Sequence, residues 1–275
     1  MMRFLENALP LPNGLDIPMI GLGTWQMSPE EAERTVEYAL TNGYKHIDTA
    51  RTYENEEGVG RGIKNSGVAR EDFFLTTKVS GFSKSYDEAK KDIEDSLKAL
   101  DSDYIDLMII HAPRPWDEMH TNSIENYYFD ENKQVWKAME EAYEAGKLKA
   151  IGVSNFEIED LENLFEHAKV KPMLNQIKYH VGHRDEQLVQ FCQEHDMIVE
   201  AYSPIGTGRL LSHPDIQKIA DKYGASTAQI SIRYAYQKGL VVLPKSVHEE
   251  YISDNAKINF EISVEDMDYL NRLVI

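Results

Sequence analysis

Residues 73–112 read FFLTTKVSGFSKSYDEAKKDIEDSLKALDSDYIDLMIIHA. Two short apolar runs, 73–79 and 104–112, flank a charge-rich stretch of helical period, SYDEAKKDIEDSLKAL. A short apolar run without a polar face fits a strand buried on both sides, and such strands joined through a helix lie parallel. The stretch is a βαβ unit, and the chain repeats it in both directions. Further runs lie at MIGLGTW (19–25), YKHIDTA (44–50), AIGVSNF (150–156), MLNQIKY (173–179), MIVEAYSP (197–204) and LVVLPKS (240–246). Amphipathic stretches such as PEEAERTVEYALTNG and NKQVWKAMEEAYEAGKL separate them. Eight strands, each followed by a helical segment, predict an α/β fold of the TIM type, a (β/α)8 barrel. In NALPLPNGLDIPMI, Asn13-Gly14 sits between short apolar runs. That pattern predicts an N-terminal β-hairpin, which would close the bottom of the barrel where the strands begin. No Pro/Gly/Ser-rich linker or change of composition divides residues 1–275, so one domain is expected.

Composition bounds what such a barrel can do. Apolar residues make up 42% of the chain, enough for a full core. A net charge of −18, from 29 Lys+Arg against 47 Asp+Glu, repels polyanions and argues against a nucleic-acid or anionic-membrane surface. No apolar run reaches membrane-spanning length and the start MMRFLENALP lacks a secretory pattern, so a cytoplasmic protein is expected. The single cysteine, Cys192, has no internal partner, and no Cys/His cluster has zinc spacing; no metal is expected. A phosphate-bearing ligand would need a local basic pocket. Two long connections, Pro113 to Glu131 and Gly206 to Ser226, leave the carboxyl ends of strands, the face where barrel active sites are built. The second has room for a short helix.

The titratable residues at those ends are Asp48 and Tyr53 after the second barrel strand, Lys78 on the third and His111 after the fourth. Singly, an Asp at a strand end reads as a helix cap and a Tyr as a rim residue. A lysine inside FFLTTKV is harder to dismiss, because a buried lysine needs a carboxylate nearby. Together the four fit a proton-donating tyrosine. A free phenol titrates near ~10, and an adjacent ammonium lowers that value. Lys78 would supply the charge, Asp48 would hold the lysine, and His111 would orient a carbonyl oxygen beside the phenol. The set reads as a carbonyl-reducing site.

At this point the sequence resembles the aldo-keto reductases over nearly its whole length. GLGTWQ (21–26), HIDTARTYENEEGVG (46–60), LTTKV, IIHAP, KAIGVSNF (149–156), NQIKYH, AYSPIGTG and LPKSV occur in that family's order. It is most similar to bacterial diketogluconate-reductase-like and prostaglandin-F-synthase-like members. The resemblance implies a catalytic tetrad of Asp48, Tyr53, Lys78 and His111, with Tyr53 as general acid. It also implies a nicotinamide cofactor bound without a Rossmann fingerprint; GLGTWQ lacks the third glycine and GVGRG follows no strand. Gly23, Thr24 and Trp25 would line the nicotinamide end beside Asp48. Ser154, Asn155 and Gln176 would hold the carboxamide, and Tyr202 would stack on the ring. The loop Ser203, Pro204, Ile205, Gly206 and Gly208 would take the pyrophosphate, its backbone N–H groups and small residues suiting close approach. Lys245, Ser246 and Val247 would meet the adenosine end and its 2′-phosphate, with Asn255 nearby.

Four departures shape the expectation. Tyr251 stands where the family places an arginine, and Asp254 where it places a glutamate. Tyrosine stacks but brings no charge, so NADPH is expected with NADH tolerated. Ala112 and Ser80 stand where many members carry tryptophans, so Trp25, Tyr53, His111 and Trp116 are the expected substrate contacts; Tyr127 and Tyr128 would either add to the wall or pack the loop down. The sequence ends at DMDYLNRLVI, without the extended tail of many members, so an open pocket is expected, with small reactive aldehydes, methylglyoxal, aromatic aldehydes and diketones as substrates. The family also suggests a monomer or weak dimer. Two other readings stay open: a non-enzymatic NADPH-binding redox sensor or regulatory subunit on the same fold, and a hydrolase pairing Asp48 with Glu200.

Overall fold

The computed structural model describes residues 3–119 and 126–275. Residues 120–125, part of the first long connection, lie outside them. A hairpin, β1 (Ala8–Pro10) and β2 (Asp16–Pro18), precedes the barrel. Its turn needs Gly14, at φ +84°, where Asn13-Gly14 had announced it. Eight parallel strands follow: β3 (Leu22–Gly23), β4 (His46–Asp48), β5 (Phe74–Val79), β6 (Ile105–Ile110), β7 (Leu148–Ser154), β8 (Leu174–Lys178), β9 (Ile198–Tyr202) and β10 (Val241–Leu243). Each pairs with its neighbour in chain order. The ring closes through Met19–Gly23. Val242 N–H donates to Met19 O at 2.9 Å, and Gly21 and Gly23 donate to Val242 O at 3.0 Å and Pro244 O at 3.1 Å.

The hairpin covers the end where the strands begin. Leu11 and Ile17 are buried against Phe74, Leu107, Ala150, Leu174 and Val241, all at or near strand starts, and Asn13 donates to Lys149 O at 2.8 Å. Burial of those two side chains contributes on the order of 1.5–3 kcal/mol each. The opposite end is left for the site.

Helices α1 (Pro29–Thr41), α2 (Glu56–Ser66), α3 (Tyr86–Ala99), α4 (Phe129–Glu144), α5 (Ile158–Phe165), α6 (Glu186–Glu194), α7 (Pro214–Tyr223), α8 (Thr227–Gln237), α9 (Glu249–Asn255) and α10 (Val264–Arg272) surround the barrel. Ser28 caps α1 with a full capping box to Glu31, and Ser226 does the same for α8 with Gln229. The glycines of GVGRG, unused by any phosphate motif, have a packing role in α2. A Cβ on Gly58 would lie 2.1 Å from Pro29 O, on Gly60 2.8 Å from Ala99 O, and on Gly62 2.4 Å from Glu33 O. Helix α2 therefore lies backbone to backbone against α1 and the end of α3.

Two connections differ from expectation. The first ends earlier, because α4 already begins at Phe129. The second holds more than a short helix: an irregular 3-10 segment, Gly206–Ser212, and then the ten-residue α7, started by Pro214 at its first turn. Among the described residues no helix is long and apolar enough to cross a membrane.

Candidate active site

Strand ends bring the titratable residues together. Asp48 is the last residue of β4 and Lys78 lies near the end of the neighbouring β5. Lys78 is fully buried, and its Nζ donates to both carboxylate oxygens of Asp48, at 2.7 and 2.8 Å, and to Thr49 O at 2.7 Å. Three charge-assisted or carbonyl acceptors saturate the ammonium. The same Nζ lies 4.9 Å from the centroid of the Tyr53 ring. Burial works against the charged lysine, yet Asp48, with Tyr53 and Glu200, more than offsets it and holds the ammonium above its ordinary value.

Tyr53 hangs from a 3-10 turn, Arg51–Tyr53, directly after β4. Its ring meets that of His111 at 5.5 Å and 73°. Contrary to the lowering expected from the lysine, burial pushes Tyr53 above its ordinary value. Lys78 pulls the other way, while Asp48 and Glu200 add to the rise. The phenol is thus a protonated donor at neutral pH. His111 follows β6, and its charged form is disfavoured first by burial and then by Lys78, so the imidazole is neutral. Thr52 Oγ1 lies 3.1 Å from its Nδ1.

Below this cluster lies a second acid. Glu200 on β9 is fully buried, and the Gln176 amide donates both to it, at 2.6 Å, and to Asp48, at 2.9 Å. The other Glu200 oxygen has no hydrogen-bond partner; His46 Nε2 is 3.7 Å away and engages Thr76 Oγ1 at 3.0 Å. Burial, reinforced by the charge of Asp48, raises the Glu200 pKa well above the carboxylate range. Burial likewise holds His46 neutral. Lys78 and Asp48 form the ion pair of this cluster, and Glu200 beside them holds a proton more readily than an ordinary carboxylic acid.

Residues expected at a cofactor line the same mouth. The Gln176 N–H groups turn to two carboxylates, which leaves its Oε1 as an acceptor for a carboxamide N–H. Ser154 Oγ donates to Gln176 O at 2.8 Å. Asn155, at φ +60°, donates to Ser154 Oγ at 3.0 Å and His111 O at 3.1 Å and accepts from Tyr202 OH at 2.9 Å. Thr24 Oγ1 donates to Asp48 O at 3.1 Å, and Asn55 braces this corner by donating to Thr24 O at 2.9 Å. Gly23 faces the last residues of β10, with Lys245 Cβ 3.9 Å from where its own Cβ would be. Across the mouth, Ser203 (φ +52°), Gly206 (φ +58°) and Gly208 (φ +92°) shape a tight loop after β9 that continues Pro204 and Ile205. Gly206 and Gly208 donate their N–H groups within it, to Ser203 O and Ile205 O, so these two expected phosphate donors are engaged by the loop's own turns. At the far end, Ser246 is buried and accepts from His248 N–H at 3.1 Å, while the Tyr251 ring, 53% exposed, meets the His248 ring at 5.4 Å. Asn255 is buried at the end of α9 and Val247 is half-buried at its start. This donor set fits a nicotinamide dinucleotide: an acceptor and a hydroxyl for the carboxamide, an aromatic ring, and a cation at the distal end.

The residues expected to contact substrate lie around His111. A Cβ on Gly81 would lie 3.3 Å from Ala112 Cβ and 3.4 Å from Trp116 Nε1. Trp116 thus packs beside the small residues Gly81 and Ala112, and its ring meets His111 at 5.1 Å and 86°. Trp25 stands at the rim, 45% exposed. Tyr127 packs on Phe129, and Tyr128 OH donates to Glu118 at 2.6 Å, so those tyrosines fasten the loop. Sequence reasoning missed Thr52, and also Arg209, whose Nε donates to Gly206 O at 3.3 Å and adds a cation to the loop. Arg209 had a signal: it is the only cation between Ser203 and Ser212.

Comparison with known proteins gives the family and the fold. The chain matches the Aldo/keto reductase family over residues 19–275. It is 41% identical to the glyoxal reductase of Bacillus subtilis (strain 168), over 98% of this chain and 93% of that protein. An aldo/keto reductase crystal structure from Brucella melitensis superposes with a TM-score of 0.88 at 40% identity, covering 97% of this chain and 98% of that one. The Bombyx mori aldo-keto reductase solved in complex with NADP gives 0.86 at 32% identity, covering 97% and 92%. With a barrel closed by its own hairpin and a buried Asp–Lys pair beneath a tyrosine at the strand ends, this chain belongs to the aldo/keto reductase family.

Proposed function

We propose that the protein reduces small reactive carbonyls to alcohols with NADPH, Tyr53 acting as general acid. The observation that carries the reading is the fully buried Lys78, bonded to both oxygens of Asp48 and lying 4.9 Å from the Tyr53 ring. A buried ammonium without a structural need for charge is costly, and its position beneath a phenol gives it a use. When bound, the dihydronicotinamide supplies the hydride. Tyr53 holds the proton that the carbonyl oxygen needs as it gathers negative charge. Lys78, fixed by Asp48, stabilises the phenolate that remains, and neutral His111 orients the oxygen. Gln176, Ser154, Asn155 and Tyr202 would hold the nicotinamide end, and the loop 203–208, Lys245, Ser246, Tyr251 and Asn255 the rest.

Lys245 without an arginine partner supports a preference for NADPH with NADH tolerated, since Tyr251 adds stacking and no charge. The open rim at Trp25 and the wall at Trp116 support small aldehydes, 2-oxoaldehydes such as methylglyoxal, aromatic aldehydes and diketones. The B. subtilis relative, named a glyoxal reductase, lends weight to the same class. The test is NADPH oxidation by the purified protein with methylglyoxal, phenylglyoxal, a nitrobenzaldehyde, a diketogluconate and xylose, each repeated with NADH. Turnover that Tyr53→Phe lowers at least about a hundredfold, with NADPH binding kept, is the expected result. Retention of more than about a tenth of wild-type kcat would remove Tyr53 as proton donor. Tight NADPH binding with no turnover would favour the sensor or regulatory reading.

A further inference from the structure

One 3-10 turn, Arg51–Tyr53, carries the phenol and, one residue earlier, Thr52. Arg51 ties that turn to Glu56 at 3.2 Å and to Asp95 at 3.3 Å. From it, Thr52 Oγ1 reaches Nδ1 of His111 at 3.1 Å. The turn that carries Tyr53 thereby also holds the imidazole, although 59 residues separate Thr52 from His111. A neutral imidazole has one N–H and one lone pair, and a partner that engages one nitrogen settles what the other offers.

We propose that Thr52 is a positioning residue whose hydroxyl donates to Nδ1 of His111, leaving the ring proton on Nε2 as a donor toward the carbonyl oxygen that Tyr53 protonates. This rests on the reductase reading above. An oxygen gathering negative charge is stabilised by donors and repelled by a lone pair. With Thr52 accepting instead, the Nε2 lone pair would face that oxygen. The remaining contacts of His111 fix its place without choosing its tautomer: Trp116 and Tyr53 meet its ring edge to face, and Asn155 donates to its backbone carbonyl at 3.1 Å. Among the described residues, the Thr52 hydroxyl is the one hydrogen-bond partner of the ring.

The experiment compares Thr52→Val, which keeps the shape and loses the hydroxyl, with Thr52→Ser, which keeps the hydroxyl. Long-range 15N–1H spectra of the full-length chain, assigned by the signals lost in His111→Gln, report which ring nitrogen is protonated. The expected result is Nε2–H in the wild type and Thr52→Ser, and a mixed or reversed tautomer in Thr52→Val. For methylglyoxal, kcat/KM should fall about tenfold in Thr52→Val, the factor for one hydrogen bond, with the NADPH dissociation constant unchanged. Thr52→Ser should stay within about twofold of wild type. Nδ1–H in the wild type, or a Thr52→Val enzyme with the wild-type tautomer and wild-type kcat/KM, overturns the proposal. If Thr52→Val does not fold, the wild-type tautomer and Thr52→Ser carry the test. A wild type silent toward every carbonyl sinks the reductase reading instead, and the tautomer still reports on Thr52.

Discussion

Lys78 and Asp48 form a pair in which each member is stable only because of the other. Removing one leaves the other buried and uncompensated, so Lys78→Met should cost about 3–5 kcal/mol in denaturant unfolding as well as nearly all turnover. Lys78→Met combined with Asp48→Asn should recover a good part of the stability and none of the activity. If the double variant is no more stable than the single one, the pairing account fails. Glu200 makes the opposite kind of prediction. Its pKa is raised to about 8, so between the ordinary carboxylate range and that value the folded chain binds a proton that the unfolded chain has released. Stability from this group is complete on the acid side and falls as pH rises through that window. Glu200→Gln abolishes the dependence. Its Tm relative to wild type should climb from pH 5 to pH 8.5, by on the order of 2–4 °C per kcal/mol. A constant difference across that range would mean that Glu200 is ionised in the fold. At this scale sequence showed much: the apolar frame of FFLTTKV marks Lys78 as a lysine in need of an acid, and strand order points to Asp48. It showed nothing of Thr52, because a threonine is unremarkable until folding brings it 3.1 Å from an imidazole.

Elements were legible where a local signal exists. Apolar runs gave all eight barrel strands, and Asn13-Gly14 gave the hairpin. Strand lengths were not. The first two barrel strands extend over Leu22–Gly23 and His46–Asp48 only, because pairing ends where the barrel mouth opens and composition does not mark that point. The start of α4 at Phe129 was equally hidden, since its N-cap, Tyr128, has no side-chain cap bond. Helix α2 shows how a glycine pattern misleads as motif and informs as packing. Ala is the better helix former by about 1 kcal/mol, so propensity alone predicts that Gly58→Ala stabilises. The Cβ would lie 2.1 Å from Pro29 O, a backbone atom that cannot step aside, so the sign reverses. Gly58→Ala should destabilise by at least about 2 kcal/mol or leave the chain insoluble, whereas Gly67→Ala, with open space and φ +65°, should cost about 1 kcal/mol. Thermal melts of the two variants compare them directly, and a Gly58→Ala protein melting at or above wild type would disprove the close crossing.

Across the whole molecule, acidity and ligand charge stand in conflict. The proposed cofactor, NADPH, carries several negative charges and would approach a chain of net charge −18, with Lys245 and Arg209 as cations at the expected binding groove. These opposing fields differ in range. Surface charges repel across tens of ångströms at ~0.01 M salt, where the Debye length is about 30 Å, but only across ~8 Å at physiological ionic strength. A lysine in contact with a phosphate acts at roughly 4 Å, where partial burial protects it from screening. Salt should therefore remove repulsion before it removes attraction. Stopped-flow association of NADPH, followed by protein fluorescence quenching, should quicken between about 0.01 and 0.1 M NaCl and level off above that. Lys245→Ala should weaken binding at every salt concentration and leave the rise in association rate intact. If association slows steadily from the lowest salt upward, the local cations dominate even at long range, and the acidic surface plays no part in cofactor capture.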